Sequence, residues 1–153
     1  MKIGAVLDRK ANRDLGLVVV AADASLMDAA RLLCKHNIGA LLVTDPKGGG
    51  GHVGILSERD IIRRCAEGAK LDGIKVSDAM SRKVLVVTAE DDVDVASGIM
   101  ARHHIRHLPV VDSGKVVGMI TVRDVVEALD EQKDIHIRHL GDVVGGTYGS
   151  EVF

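Results

Sequence analysis

Aromatic side chains are almost missing: the 153 residues include one Phe, one Tyr and no Trp. Proteins that hold single strands stack bases on aromatic platforms, and nucleic-acid binders in general present a basic face. With a formal net charge of -2 this chain offers neither. No nucleic-acid role is expected, and any base it holds is clamped by aliphatic side chains. Long apolar runs are also missing. None approaches the roughly 20 residues that cross a bilayer, and the start M-K-I-G-A-V-L-D-R-K is cut by charge before a signal-peptide core forms. The expectation is a cytoplasmic chain with no membrane role. Cysteine is scarce, and Cys34 and Cys65 each fall in a helical apolar pattern with no C-x-x-C spacing. They are expected as small buried hydrophobes, not as redox or metal ligands. What is abundant is apolar residues, 46% of the chain, as in an ordinary globule.

Those apolar residues are duplicated. A-A-D-A-S-L-M-D-A-A-R-L-L-C-K-H-N-I-G-A-L-L-V-T-D lies without a gap on T-A-E-D-D-V-D-V-A-S-G-I-M-A-R-H-H-I-R-H-L-P-V-V-D at an offset of 67. Ala29 falls on Ala96, Leu33 on Met100 and Ile38 on Ile105. V-G-I-L-S-E-R-D-I-I then falls on V-G-M-I-T-V-R-D-V-V at an offset of 64. The difference is absorbed by the turn Pro46-Lys47-Gly48-Gly49-Gly50-Gly51, opposite Asp112-Ser113-Gly114. Loops take such insertions cheaply.

Each copy predicts the order β-α-β-β-α. A short apolar strand (Leu17 to Val20; Val84 to Val87) leads to a helix with apolar residues at Leu26, Ala29, Ala30 and Leu33 in the first copy. Ser25 and Asp92 are its expected N-caps. Two hairpins follow, Ala40 to Thr44 with His52 to Leu56, and Leu108 to Val111 with Lys115 to Ile120. A closing helix starts at Ser57 or Thr121 and buries Ile61, Ile62 and Cys65, or Val125, Val126 and Leu129. The expected division is a first repeat with its lead-in over 1–66, a linker and short helix over 67–83, a second repeat over 84–129 and a tail over 130–153. One copy of about fifty residues is too small for a stable core of its own, so the two are expected to pack face to face. The lead-in is itself duplicated, A-V-L-D-R-K being echoed in A-M-S-R-K.

Several residues admit both a structural and a chemical reading. Ser57 and Thr121 open helices whose unpaired N–H groups and dipole favour an anion such as phosphate. S-E-R-D and T-V-R-D are equally S/T-x-x-acid capping boxes. An ionised aspartate has about four lone-pair sites, so Asp60 and Asp124 can cap a helix and still accept from a ribose. Arg59 and Arg123 sit on first helical turns, a poor place for a cation unless an anion is near. Within Arg102-His103-His104-Ile105-Arg106-His107, a zinc site through His103 and His107 is rejected, because Pro109 disfavours helix at Leu108 and parts the two rings. Gly54 and Gly118 mark places where a side chain would obstruct either packing or a ligand. The Gly48 to Gly51 run lacks the following Lys-Ser/Thr of a phosphate loop and reads as a hairpin tip.

V-S-D-A-M before a strand, I-R-H-L-P-V-V-D, and G-h-h-[ST]-x-x-D in both copies make the region from Met1 to Leu129 resemble tandem cystathionine-β-synthase (CBS) domains. The ending H-L-G-D-V-V-G-G-T-Y-G resembles that of small stand-alone bacterial CBS proteins. The resemblance implies a mixed α/β (α+β) fold, two β-α-β-β-α repeats about a pseudo-two-fold axis, and two composite clefts. These clefts would hold AMP first, then ATP, ADP or NAD(H), or S-adenosylmethionine. It implies no catalysis, no required cofactor, no metal, a homodimer, and a regulatory role exerted on a protein partner of unknown identity. The alternative is an interaction module with vestigial, empty clefts. Carried onto this chain, one ligand-binding cleft combines Val87, Thr88, Ile105, Arg106, His107 and Pro109 with Ser57, Arg59 and Asp60. A second, weaker one combines Val20, Ala21, Ile38, Gly39 and Ala40 with Thr121, Arg123 and Asp124. It is weaker because Ala21 lacks a hydroxyl and Gly39-Ala40 lacks the basic pair.

Overall fold

The computed structural model describes residues 1–11, 17–48 and 51–144. After helix α1 (Ile3–Ala11), the first copy runs β1 (Val19–Ala21), α2 (Leu26–His36), β2 (Ala40–Thr44), β3 (His52–Ser57) and α3 (Glu58–Ala66). Two single 3-10 turns, Leu71–Gly73 and Val76–Asp78, lead to the second copy. It runs β4 (Val87–Thr88), α4 (Val93–His103), β5 (His107–Asp112), β6 (Lys115–Thr121) and α5 (Val122–Val144). Each copy forms a three-stranded sheet, ordered β1-β2-β3 or β4-β5-β6. The duplication holds to the level of register. Val20 pairs with Val43 in parallel and Val87 with Val110, while Val43 faces Gly54 and Val110 faces Gly118 across the hairpins, with a ladder irregularity after each.

The helices form where the apolar spacing places them. Leu26, Ala29 and Leu33 of α2, and Val93, Ala96 and Met100 of α4, are buried against the sheets. Ser25 caps α2, its hydroxyl accepting from the Asp28 N–H at 3.1 Å. Asp92 occupies the N-cap position of α4 but makes no capping bond, its carboxylate being paired with Lys2 at 3.1 Å.

The first strand of each copy begins later than expected, and β4 is shorter than β1. In the first copy the Leu42 N–H donates to the Val18 carbonyl at 3.4 Å. The counterpart of Leu42 is Pro109, which has no N–H, so Leu85 has no matching bond and β4 shrinks to Val87–Thr88. Burial on the closing helices is also narrower than expected. Ile61 and Val125 are buried, while Ile62 and Val126 are 63% and 50% exposed. Consecutive helical residues point about 100° apart, so only one of each pair can face the sheet. Ala128, one turn after Val125, is buried instead, with Leu129 partly covered. Both cysteines are exposed, a correction to their expected burial: each lies beside the buried stripe of its helix, not on it.

The closing helices differ in length. α3 stops after 9 residues, where Gly68 adopts φ 77 and the Ala69 N–H turns back to the Arg64 carbonyl at 3.1 Å. Gln132 stands in the equivalent place, and α5 continues to 23 residues. Gly49 and Gly50 of the hairpin tip, and the final G-G-T-Y-G, lie outside the described residues.

There are two buried clusters, and each is completed by the lead-in of the other copy. Ile3 and Val6 of α1 pack with Val87, Val93, Leu108 and Ile120 of the second copy. Val76, just before the second copy, packs with Leu26, Leu41 and Leu56 of the first. Backbone bonds fix both: the Ile3 N–H donates to the Asp91 carbonyl and the Val76 N–H to the Ala24 carbonyl, each at 2.9 Å. Gly54 and Gly118 now have their reason, which is packing. A Cβ on Gly54 would lie 2.8 Å from Met80 Sδ, and one on Gly118 would lie 2.8 Å from Leu7 Cδ2. Arg9 ties α1 further to Glu131 of α5.

Ile3→Ala removes a side chain with no exposed surface, at an expected cost of about 2 to 5 kcal/mol. Amide exchange should quicken in α4, β5 and β6, far along the chain. Quickening confined to β1, α2 and β2 would show that the lead-in belongs to its own copy.

Candidate functional site

Each closing helix begins beside the strand start of the other copy, which makes two composite clefts. The first is a cavity of about 380 Å³ that brings Ser57, Glu58, Arg59 and Asp60 of the first copy against Ile105, Arg106 and His107 of the second. The second brings Ile38, Gly39 and Ala40 against Thr121, Arg123 and Asp124. Gly39, Ala40 and His107 line both and so form the wall between them.

The helix starts are held by their own acids. The Asp60 carboxylate accepts from the Ser57 N–H and hydroxyl at 2.8 and 2.9 Å, and Asp124 accepts from those of Thr121 at 2.7 and 2.8 Å. The capping reading is therefore correct at both sites, and both carboxylates still line their clefts. The two are not equivalent. Asp124 also accepts from Lys10 Nζ at 2.8 Å, whereas the nearest cation to Asp60 is Arg63 at 3.9 Å.

The arginines of the first turns find partners. Arg59 reaches the carbonyl of His104 in the other copy at 3.4 Å, and Arg123 donates to Glu127 at 2.9 Å along its own helix. Arg106 crosses between copies to Glu58 at 3.1 Å. The histidine cluster divides as Pro109 predicts, with His103 ending α4, His104 in the left-handed region at φ 54, and His107 on β5. Among the described residues no three His, Cys, Asp or Glu side chains converge as a metal site.

His107 explains a departure between the copies. A Cβ on Gly39 would lie 2.9 Å from both Cε1 and Nε2 of its ring. The centre of the molecule holds one imidazole, so the first copy carries Gly39-Ala40 where the second carries Arg106-His107. Burial pushes the His107 pKa below its ordinary value, and nearby Arg106 and, more weakly, Lys10 add to that. Glu58 and Asp124 act the other way without reversing it.

Some expected residues lie elsewhere. Val20 and Val87 point into the two cores, and the Thr88 hydroxyl donates to Asp91 at 3.0 Å, holding the turn before α4. The Thr88 N–H, which also donates to Asp91, and after it this hydroxyl lower the pKa of Asp91. Ala21 and the buried Pro109 are likewise not among the residues lining the cavities. The walls are supplied by the residues just before each strand: Lys83, Val84 and Leu85 in the first cleft, Leu17 and Val18 in the second. The signal for the lysines was present in the echo of A-V-L-D-R-K in A-M-S-R-K, which sets Lys10 and Lys83 in equivalent places.

The CBS domain family matches residues 13–67 and 76–131, one domain for each copy. The chain belongs to the CBS domain family. This CBS pair is 33% identical over 129 residues to the mitochondrial CBS domain-containing protein CBSX3 of Arabidopsis thaliana, with 82% of this chain and 63% of that protein aligned. It therefore spans a little under two thirds of that relative. A solved protein with CBS domains from Burkholderia ambifaria superposes with a TM-score of 0.78 at 30% identity, over 84% of this chain and 93% of that one. A CBS domain protein of Pyrobaculum aerophilum, solved in complex with AMP, superposes with a TM-score of 0.71 at 30% identity, over 81% and 89%.

Because the folded chain takes up the His107 proton less readily than the unfolded chain, its contribution to stability is complete above about pH 6.5 and falls away at lower pH. His107→Gln should therefore flatten the fall in Tm between pH 7.5 and 5.5. Equal falls in variant and parent would assign the acid sensitivity to other groups.

Proposed function

We propose that this CBS pair is a regulatory module that binds an adenine nucleotide in its first cleft and conveys that state to a protein partner. The observation that carries this reading is the meeting, in one cavity, of aliphatic walls for a base (Val84, Leu85, Ile105), a carboxylate suited to ribose hydroxyls (Asp60) and cations suited to phosphate (Arg59, Arg106). The AMP complex of the Pyrobaculum relative supports an adenosyl ligand. AMP is the first choice, with ADP, ATP, NAD(H) and S-adenosylmethionine behind it. The reading is of binding without catalysis, the Ser57 hydroxyl and the Asp60 carboxylate at the first cleft being engaged with each other as a helix cap. Regulation requires the ligand to favour one packing of the copies over another. The pairs Arg106–Glu58 and Arg59–His104, which span the copies at the cavity, are suited to convey that preference.

We also propose a homodimer. Ile62 and Val126 remain largely exposed on the closing helices of the two copies, and an apolar pair shown by both halves suits a self-complementary interface. No described helix is long and apolar enough to cross a membrane.

A nucleotide that binds only the folded chain, at a hundred times its dissociation constant, adds about 2.7 kcal/mol of stability. AMP, ADP, ATP, NADH and S-adenosylmethionine are to be compared by thermal shift and calorimetry. If none raises Tm and none gives heat, the clefts are vestigial and the module serves interaction alone. Asp60→Ala should abolish the tightest binding while Asp124→Ala leaves it nearly intact; the reverse would move the competent site to the second cleft. In the absence of ligand Asp124→Ala should be the more destabilising, because it also strands the Lys10 ammonium. Light scattering at micromolar concentration should give twice the chain mass, and a strictly monomeric mass would remove the dimer.

A further inference from the structure

The two clefts come from one duplicated sequence and carry opposite charge. The first is lined by Arg59, Arg63, Lys83 and Arg106 against Glu58 and Asp60. Among the described residues, the second is lined by Lys10 and Arg123 against Asp8, Asp112, Asp124 and Glu127. An excess of cations has become an excess of carboxylates, and clefts focus such fields on whatever enters them.

The duplicated lysine is the residue on which the difference turns. Lys10 and Lys83 end the two copies of the lead-in, and each lines a cleft that a helix-start aspartate also lines. Lys10 is spent internally. Its ammonium donates to Asp124 at 2.8 Å and to the Met119 carbonyl at 3.0 Å, and the Lys10 and Asp124 side chains are only 19% and 15% exposed. Lys83 is exposed at the first cleft and makes no hydrogen bond or ion pair among the described residues. Of the other cations that line this cleft, Arg59 is engaged with His104, Arg106 with Glu58 and Arg63 with Asp60 at 3.9 Å. Lys83 is therefore the cation that meets an incoming anion without first giving up a partner.

Resting on the nucleotide-binding reading above, we propose that the clefts sort ligands by charge: Lys83 binds phosphate in the first, while the second excludes phosphorylated nucleosides. The chain then takes up one phosphorylated nucleoside, although its sequence repeats the site twice.

Calorimetry on the full chain with adenosine, AMP and ADP tests this, using Lys83→Gln and, as a charge control that lines neither cleft, Lys115→Gln. AMP should bind once per chain and at least about tenfold more tightly than adenosine, a gain expected of a charge-assisted contact. Lys83→Gln should weaken AMP and ADP about tenfold and change adenosine by less than about twofold, with Lys115→Gln leaving all three within about twofold. The ratio of AMP to adenosine affinity is internal to each protein, so a change in fold stability does not imitate the result. Equal weakening of adenosine and AMP by Lys83→Gln, or two AMP sites of similar affinity per chain, would overturn the charge-sorting proposal and leave nucleotide binding standing. Absence of binding by all three would overturn both.

Discussion

Ile3 and Val76 have no exposed surface, and each sits in the core of the copy that does not follow it in sequence, so neither sheet is closed without a segment supplied by the other half. Full burial of such a side chain is worth about 1.5 to 3 kcal/mol, a large share of the stability of a copy of about fifty residues. Gly54 and Gly118 keep the sheet surface low where Met80 and Leu7 lie across it. The exchange also brings the ends of both lead-ins to the clefts. Lys10 and Lys83 stand where they do because the segments that carry them are committed to packing a few residues earlier.

Duplication alone would make the clefts alike, and one steric constraint at the centre prevents it. The His107 ring fills the space that a Cβ on Gly39 would need, so the strand start of the first copy must stay small there. From that follows the placement of Arg106 on the first cleft, its pair with Glu58, and the depression of the His107 pKa by burial and by Arg106. Pro109 adds to the asymmetry from the same strand. By removing one donor it shortens β4 to Val87–Thr88.

The duplication, the order of elements and the hairpins were legible, because they depend on periodicity and on spacing that survives duplication, whereas the composite clefts were implied by the resemblance to CBS domains. What was not legible depends on contacts between distant residues. Two adjacent apolar residues such as Ile61 and Ile62 fit a helical stripe equally well, and only the sheet beneath decides which is covered. The resemblance puts Val87 and Thr88 in the cleft. Their side chains are claimed by the core and by Asp91, and the cleft is lined by residues two to five positions earlier. Lys10 and Asp124 lie more than a hundred residues apart, and the repeat suggested that Asp60 and Asp124 were alike. Only the fold shows that one of them is already paired.

That pairing gives the asymmetry a thermodynamic direction. Even a partly buried ion pair such as Lys10–Asp124 is costly to break by removing one partner, since the remaining charge keeps part of its desolvation penalty without compensation. A ligand entering the second cleft meets an aspartate whose carboxylate already holds three donors, from Thr121 and Lys10. In the first cleft Asp60 is held by Ser57 alone at hydrogen-bonding distance, and the exposed pair Arg106–Glu58 contributes little, so opening it costs little. On the proposed nucleotide-binding reading, a phosphate that draws Arg106 away from Glu58 would exchange a weak contact between the copies for a stronger one through the ligand. Because Arg106 and Glu58 belong to different copies, that exchange alters how the two halves are joined. Occupancy of a cleft becomes in this way a property of the whole module.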